Sequence, residues 1–529
     1  MVTASSSASR TELPRLVVAA PASGHGKTTV ATGLMAALRR RGLTVSGHKV
    51  GPDYIDPGYH ELATGRPGRN LDPHLVGEDT IVPLLLHGAQ AAPRPADVAV
   101  IEGVMGLYDG QIGGDGFSST AHVAGLTDTP ILLVVDISHA SRSIAAVVLG
   151  MATFDPTVRI GGVILNKAGS VRHSDEVRRA LEPLGIPVLG VLSRDDDVTA
   201  PSRHLGLVPA AERPGAAGSL DHLAGRIADS VDLDAVMRLA HSAPPLQGSA
   251  WSADEALAGA IAGPVSLPRS GPVSSRASGW ASRVSGVAAV PAPRSGSRRP
   301  VVAVAGGRAF TFRYAETVEL LRSAGCDVAV FDPLADSALP EGTVGIYLGG
   351  GFPEVHAAGL AANRPMLTAL RTALGAGVPT VAECAGLLYL CRTLDEAPMI
   401  GAVPADAAMS PRLTLGYRRV TARSTNLLAV AGTEVTGHEF HRTTVTPGAG
   451  AGGAGAGGAG TPGAGLLGAW TGPHGEEGFA TPTLHASYLH THWAGHPSLA
   501  ARFAAEVSRC ARALPAPGLA AVASRPTAG

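Results

Sequence analysis

The stretch that most restricts the fold is PASGHGKTTV (Pro21 to Val30), set between the apolar run LVVAA (Leu16 to Ala20) and the helix-like TVATGLMAALRRR that starts at Thr29. A strand, a glycine turn, a lysine and two hydroxyl residues opening a helix form a cradle for phosphate. Gly24 and Gly26 let backbone N–H groups come close, Lys27 reaches the outer phosphates, and Thr28 or Thr29 meets Mg²⁺ at the helix start. The strict GxxxxGK[ST] spacing wants glycine where Pro21 stands, so this is a variant loop. An incidental glycine turn holding a lysine is the alternative.

The runs that follow support the same architecture. VAVIEG (Val98 to Gly103), ILLVVD (Ile131 to Asp136), GVILN (Gly162 to Asn166) and PVLGVL (Pro187 to Leu192) are continuously apolar and alternate with helix-like stretches. Strands covered on both faces by helices require that pattern, and a parallel α/β sheet results. At 529 residues the chain exceeds one core, so two folded domains are expected over residues 14–241 and 300–515. Pro, Ser, Gly and Arg dominate residues 242–299, which read as a linker, while residues 1–13 and 516–529 read as disordered tails. Residues 447–465 are almost entirely Gly and Ala and read as a surface insertion.

A second alternation begins at VVAVA (Val301 to Ala305). It passes through VAVF (Val328 to Phe331), GIYLGGG (Gly345 to Gly351) and PTVAEC (Pro379 to Cys384), and closes on HASYLHTHW (His485 to Trp493) and a helix from Ser498 to Leu514. In PTVAECAGLLYL a cysteine sits where a strand turns sharply into a helix, which exposes its sulfur and favours thiolate. Cys384 is the expected nucleophile, and Cys391 a core residue. Gly350 or Gly351 in YLGGGFPEVHA can offer N–H groups to an oxyanion. His490 and His492 are two apart, so on a strand both point the same way and either can reach Cys384. A metal site built on that histidine pair is the alternative.

Charge and cysteine use narrow the classes further. With 42 basic and 43 acidic residues there is no global field toward nucleic acid or membrane surfaces. The four cysteines, Cys326, Cys384, Cys391 and Cys510, show no metal-ligand spacing and suit a reducing cytoplasm. No secretory signal or membrane span is legible, so a soluble cytoplasmic enzyme is expected. Lysine occurs only at positions 27, 49 and 167, all in or beside the nucleotide motifs. Asp53 in HKVGPDYIDPGYH and Glu102 at a strand end are candidate Mg²⁺ carboxylates. Alternatively Asp53 or Asp56 caps a turn, and Glu102 pairs with an arginine.

These motifs together carry a resemblance. KVGPDYIDPGYH, NLDPHLV (Asn70 to Val76), EGVMGLYDG (Glu102 to Gly110) and RHLGLVPAAE (Arg203 to Glu212) resemble the cobyrinic acid a,c-diamide synthase family, including its hydrogenobyrinic acid form. The resemblance implies a P-loop NTPase-like, dethiobiotin-synthetase-like parallel-sheet domain followed by a flavodoxin-like class I glutamine amidotransferase domain. It further implies that Lys27 binds phosphate, that Thr28, Asp53 and Glu102 surround Mg²⁺, and that Asn166 reads adenine. Asp56 and Asp109 would lie near the substrate carboxylate. His490 aligns with the catalytic histidine of the class I amidotransferases, and His492 takes the place of their usual Glu, so the orienting group of the base is open. AFTFRYAE (Ala309 to Glu316) and GHEFHRT (Gly437 to Thr443) also resemble the family and are assigned to fold or domain contact, with substrate binding a further option.

The implied reaction is ATP- and glutamine-dependent amidation of the a and c carboxylates of a corrin precursor, with ATP, L-glutamine and the corrinoid as partners and a homodimer as a further implication. The GC-rich composition tilts the substrate toward the metal-free hydrogenobyrinate. A cobyric acid synthase type, amidating other corrin carboxylates, and a regulatory P-loop ATPase are the rivals. Ammonia crossing between the domains needs a shielded passage or closed interface, since bulk water would protonate it.

Overall fold

The computed structural model describes residues 10–194, 202–203, 206–213, 215–262, 299–448 and 468–513. Two α/β layers and a long antiparallel arm account for them.

The first layer is a seven-stranded sheet. Its strands are β1 (Arg15–Ala19), β2 (Val45–Val50), β3 (Arg69–Leu71), β4 (Val98–Glu102), β5 (Ile131–Asp136), β6 (Ile160–Ala168) and β7 (Val188–Ser193), in the order β3-β2-β4-β1-β5-β6-β7. All neighbours pair in parallel. Leu16, Val17, Val18, Val100, Ile101, Leu133 and Val134 are fully buried, which is why these strands read as unbroken apolar runs. Helix α1 (Lys27–Arg40) follows β1 directly, and α2 (Asp56–Thr64) follows β2.

The second layer holds β8 (Val301–Ala305), β9 (Asp327–Phe331), β10 (Thr343–Leu348), β11 (Thr380–Glu383), a short β14 (Phe479–Ala480) and β15 (Leu484–Ser487), ordered β9-β8-β10-β11-β15-β14. Only the last pair is antiparallel. Beside it an arm of two long strands, β12 (Ala405–Ala422) and β13 (Glu434–Pro447), ends on β16 (His490–Thr491), which pairs with β13. Helix α6 (Pro497–Ala513) closes the fold.

The expected linker is corrected at its start. Leu246–Gln247 pairs antiparallel with Arg10–Thr11, so part of the expected N-terminal tail is ordered too. The backbone N–H of Trp251 donates to Pro83 O at 2.9 Å, and its ring stands edge-on to His87. Helix α3 (Ala253–Ala262) then packs on α6 and on α4 (Ala315–Ser323). Packing rather than local composition orders this stretch. The rest of the linker, residues 449–465 of the Gly-rich insertion and the C-terminal tail of residues 516–529 lie outside the described residues.

The two layers share a core. One apolar cluster runs from Tyr54, Tyr59 and Leu75 in the first half to Phe312, Tyr314, Leu489 and Trp493 in the second. A Cβ on Gly495 would lie 2.1 Å from the carbonyl oxygen of Leu75, so only glycine lets the two backbones approach so closely.

Candidate active sites

The first site is assembled by strand register. Lys49 and Glu102 are direct partners on β2 and β4, and Val18 of β1 faces Glu102 from the other side. The C-terminal ends of these strands therefore meet at the loop that begins α1. Gly24 and Gly26 have φ of +84° and +93°, a region that L side chains rarely adopt. Neither glycine could be replaced without strain.

Thr28 Oγ1 donates to Glu102 Oε1 at 2.5 Å and lies 3.4 Å from Asp56 Oδ2. Lys49 Nζ bridges both acids, at 2.7 Å from Asp56 and 2.9 Å from Glu102, and His60 Nε2 holds the other oxygen of Glu102 at 2.7 Å. Glu102 thus pairs with a lysine and a histidine rather than an arginine. Burial alone would raise its carboxyl, but Lys49 and His60 outweigh burial and hold it low. Burial, with Asp53 and Glu102 close by, pushes the Asp56 carboxyl well up. Crowded hard oxygens of this kind suit a divalent cation, which takes one or two protein carboxylates beside phosphate oxygens. Among the described residues no group of three or more His, Cys, Asp or Glu forms a ligand cage.

Asp53 and Asp56 take different places in this loop. Asp53 Oδ1 accepts the N–H groups of Ile55 at 2.7 Å and Asp56 at 3.0 Å, so it caps the turn into α2. Asp56, expected near substrate, stands beside Thr28. Lys27 is buried, and its ammonium donates to the carbonyls of Met105 and Ala22. Burial and the neighbouring Lys49 bring it down to about 8. Asp109 is exposed and accepts the Gly106 N–H at 2.9 Å. Thr29 lies half-buried in the first turn of α1.

Asn166 ends up against the loop itself. Its amide donates to His25 O at 2.8 Å, and a Cβ on Gly26 would meet it at 2.3 Å. Lys167 joins Gly24 O at 2.8 Å to Asp136 at 2.7 Å. All three lysines of the chain are therefore at this site.

The second site stands on the C-terminal edge of the other sheet. Cys384 turns β11 into helix α5 (Ala385–Leu390) with φ +50° and ψ −99°, a conformation held by Cys384 N–H on Ser487 O at 2.8 Å. Gly386 N–H reaches Gly349 O at 3.1 Å, and a Cβ there would strike Leu348 O at 2.3 Å. The sulfur is less open than expected. Cys384 is buried, and burial followed by Glu354 pushes its thiol up, against the N–H of Ala385, which favours thiolate.

His490 reaches this edge. A Cβ on Gly350 would lie 2.4 Å from His490 Cε1. Burial brings its imidazole down to about 3, and its Nδ1 has no hydrogen-bond partner among the described residues. Gly350 itself exchanges two hydrogen bonds with Phe312, so its N–H is already committed, and Gly351 is the better of the two expected oxyanion donors.

The two histidines do not behave alike. The strand ends at Thr491, so His492 leaves it and packs, tilted, against Tyr314 with ring centroids 4.0 Å apart. Between them Thr491 is held by Glu383, whose Oε1 accepts its hydroxyl at 2.7 Å. Burial raises the Glu383 carboxyl to about 7, against its bonds from Thr491 and Tyr347.

Sequence reasoning missed Tyr54, Glu383 and the role of Lys49. Tyr54 belongs to the same loop as Asp53 and Asp56, yet its ring lies among Phe312 (5.2 Å), Tyr314 (4.7 Å), His438 (5.4 Å) and His490 (5.0 Å). The AFTFRYAE stretch and His438 of GHEFHRT thus lie at the contact between the halves. The rarity of lysine was the one signal for Lys49.

A phosphate-binding sheet joined to a cysteine-elbow glutaminase defines an ATP-site amidotransferase, and the comparisons agree. Residues 16–208 match the CobQ/CobB/MinD/ParA nucleotide binding domain family, and residues 301–498 the CobB/CobQ-like glutamine amidotransferase domain family. The hydrogenobyrinate a,c-diamide synthase of Thermobifida fusca is 60% identical over 94% of this chain and 97% of that protein. That of Streptomyces coelicolor is 53% identical over 96% and 99%. The cobyrinate a,c-diamide synthase of a Synechococcus strain is 40% identical over 92% and 97%. The chain belongs to the hydrogenobyrinate and cobyrinate a,c-diamide synthase family. No helix among the described residues is long and apolar enough to cross a membrane.

Proposed function

We propose that this protein amidates the a and c side-chain carboxylates of hydrogenobyrinate, using ATP and taking nitrogen from glutamine. The observation that carries this reading is the 60% identity to the Thermobifida enzyme across both halves. Identity falls to 40% and 37% for relatives named for cobyrinate, which supports the metal-free substrate.

In the C-terminal half, Cys384 attacks the glutamine amide carbon while His490 takes the thiol proton and returns it to the leaving nitrogen. Ammonia departs, a thioester forms, and water releases glutamate. Gly351 N–H meets the oxyanion. In the N-terminal half, a substrate carboxylate oxygen attacks the terminal phosphorus of ATP, forming an acyl phosphate and releasing ADP. Ammonia then attacks its carbonyl and phosphate leaves. Lys27 and the N–H groups of the loop hold the phosphates. Thr28, Glu102 and Asp56 would hold Mg²⁺, which supplies charge neutralisation on the phosphate oxygens. Asn166 would read the base, exchanging its hydrogen bond to His25 O for one to adenine. The apolar cluster between the halves supports a closed route for ammonia.

Incubating the protein with glutamine, Mg·ATP and either hydrogenobyrinate or cobyrinate, then weighing the product, tests the assignment. Two amide substitutions on hydrogenobyrinate are expected. Preference for cobyrinate would reassign the substrate, and amidation at other carboxylates would favour the cobyric acid synthase type.

A further inference from the structure

His490 and His492 are alike in sequence, but their hydrogen bonds assign them different work. His492 Nδ1 accepts the backbone N–H of Ala494 at 3.3 Å. Burial keeps the ring neutral, bringing it down to about 4 although Glu316 opposes this. A neutral imidazole carries one proton, and with Nδ1 accepting, that proton is on Nε2. His492 therefore has no lone pair free to take a proton from a thiol. Its Nε2 faces Glu316 Oε2 at 3.7 Å, and neither atom has a hydrogen-bond partner among the described residues. A shift of less than about 1 Å turns that gap into a hydrogen bond.

Glu316 continues the chain into the other half. Its Oε1 takes Arg69 Nη1 at 2.5 Å, while the other arm of Arg69 reaches Glu319 at 2.6 Å. Arg69 and Glu316 are both buried. Next to Arg69 on β3, the amide of Asn70 donates to Gly51 O at 2.8 Å and Asp53 O at 2.7 Å. Those carbonyls belong to the loop that carries Tyr54 and Asp56. At the other end, Thr491 links His492 to His490 and is itself fastened to Glu383.

We propose that His492 is a positioning residue, tied through Glu316 and Arg69 to the nucleotide-site loop, and that His490 alone is the base for Cys384. Movement of that loop as nucleotide and acceptor bind passes through Arg69 to Glu316 and closes the contact with His492. That fastens His490 in the place it already holds against Gly350. Glutamine is then hydrolysed fastest when an activated carboxylate awaits the ammonia. The inference rests on the amidotransferase reading above.

The test uses the full-length protein, its glutaminase rate with and without Mg·ATP plus hydrogenobyrinate, and its amidation with ammonia in place of glutamine. In Glu316→Gln and His492→Gln the stimulation of glutaminase is expected to fall at least about fivefold, with KM for glutamine little changed. Ammonia-driven amidation is expected within about twofold of the parent, which also reports intact folding. The double variant should be no worse than either single one, and Arg69→Lys should keep part of the stimulation. His490→Gln should abolish glutamine hydrolysis under every condition. Full stimulation in Glu316→Gln overturns the relay, as does equal loss of the ammonia-driven reaction. Abolished hydrolysis in His492→Gln, matching His490→Gln, overturns the assignment of the base. A parent that amidates no corrinoid from either nitrogen source overturns the amidotransferase reading and the relay with it.

Discussion

Tyr54 sits two residues from the buried acid Asp56, yet its ring lies 5.0 Å from that of His490 in the other half of the chain. The loop that carries Asp53 and Asp56 thus also packs against the histidine proposed as the base. Removing the ring by Tyr54→Ala should open that contact, so that glutamate forms in excess of amide, whereas Tyr54→Phe should keep the two nearly equal. Quantifying both products in one reaction checks it. Equal products from Tyr54→Ala would mean that the ring does not guard the nitrogen.

Cys384→Ser should lower glutamine-driven amidation by about 10³-fold or more, because the attacking sulfur is lost. Synthesis from ammonium salts should continue. Parallel assays with the two nitrogen sources separate the outcomes, and loss of both would point to a folding defect.

The mirror-image result is expected from Lys27→Met. Losing the buried ammonium should lower ATP-dependent amidation by roughly 10²–10³-fold with either nitrogen source. Basal glutamine hydrolysis, followed as glutamate release without nucleotide, should persist. Near-normal amidation would remove Lys27 from the phosphate site.

Gly350→Ala places a methyl group 2.4 Å from His490 Cε1, too close for both to stay. A displaced base should cost on the order of 10²-fold in kcat for glutamine hydrolysis. Steady-state kinetics should show KM for glutamine nearly unchanged and the ammonia route intact. An unaltered kcat would mean that His490 is not the base.

Glu383 makes stability depend on pH in a direction opposite to that of a paired surface acid. Its carboxyl is raised from 4.5 to about 7 on folding. Between those values the folded protein holds the proton more tightly than the unfolded chain does. The contribution is therefore complete below pH 4.5, declines as pH rises to 7, and is level beyond it, spanning on the order of 3 kcal/mol. Glu383→Gln cannot titrate, so the gap between its unfolding midpoints at pH 5 and pH 8 should be smaller than the parent's. Identical gaps would show that this carboxyl contributes nothing to the profile.

What could be read in advance was what is contiguous. The phosphate loop and the cysteine turn each declare their geometry within a dozen residues, and apolar strand runs report burial on both faces. Lys49 was conspicuous by rarity, but its bridge to Glu102 and Asp56 arises from the order β3-β2-β4, which no local pattern encodes. The same-face argument for His490 and His492 assumed a strand that in fact stops at Thr491. That Asp53 caps the turn into α2 while Asp56 stands beside Thr28 depends on the path of the loop, which the spacing of the two acids does not reveal. Helix α3 hid in a Pro- and Ser-rich stretch because its order comes from α4 and α6, far along the chain.

The Arg69 clamp limits how this protein could be divided. If the halves were made as separate polypeptides, one would carry an unpaired guanidinium and the other two unpaired carboxylates, with Arg69 and Glu316 on surfaces that the intact protein keeps dry. Separation would also uncover the apolar cluster that runs from Tyr54 and Leu75 to Phe312 and Trp493, so each fragment should depend on its mate for solubility and should recover only by re-docking. The fusion of synthetase and glutaminase is therefore more than a convenience of gene order: each half completes the other's interior.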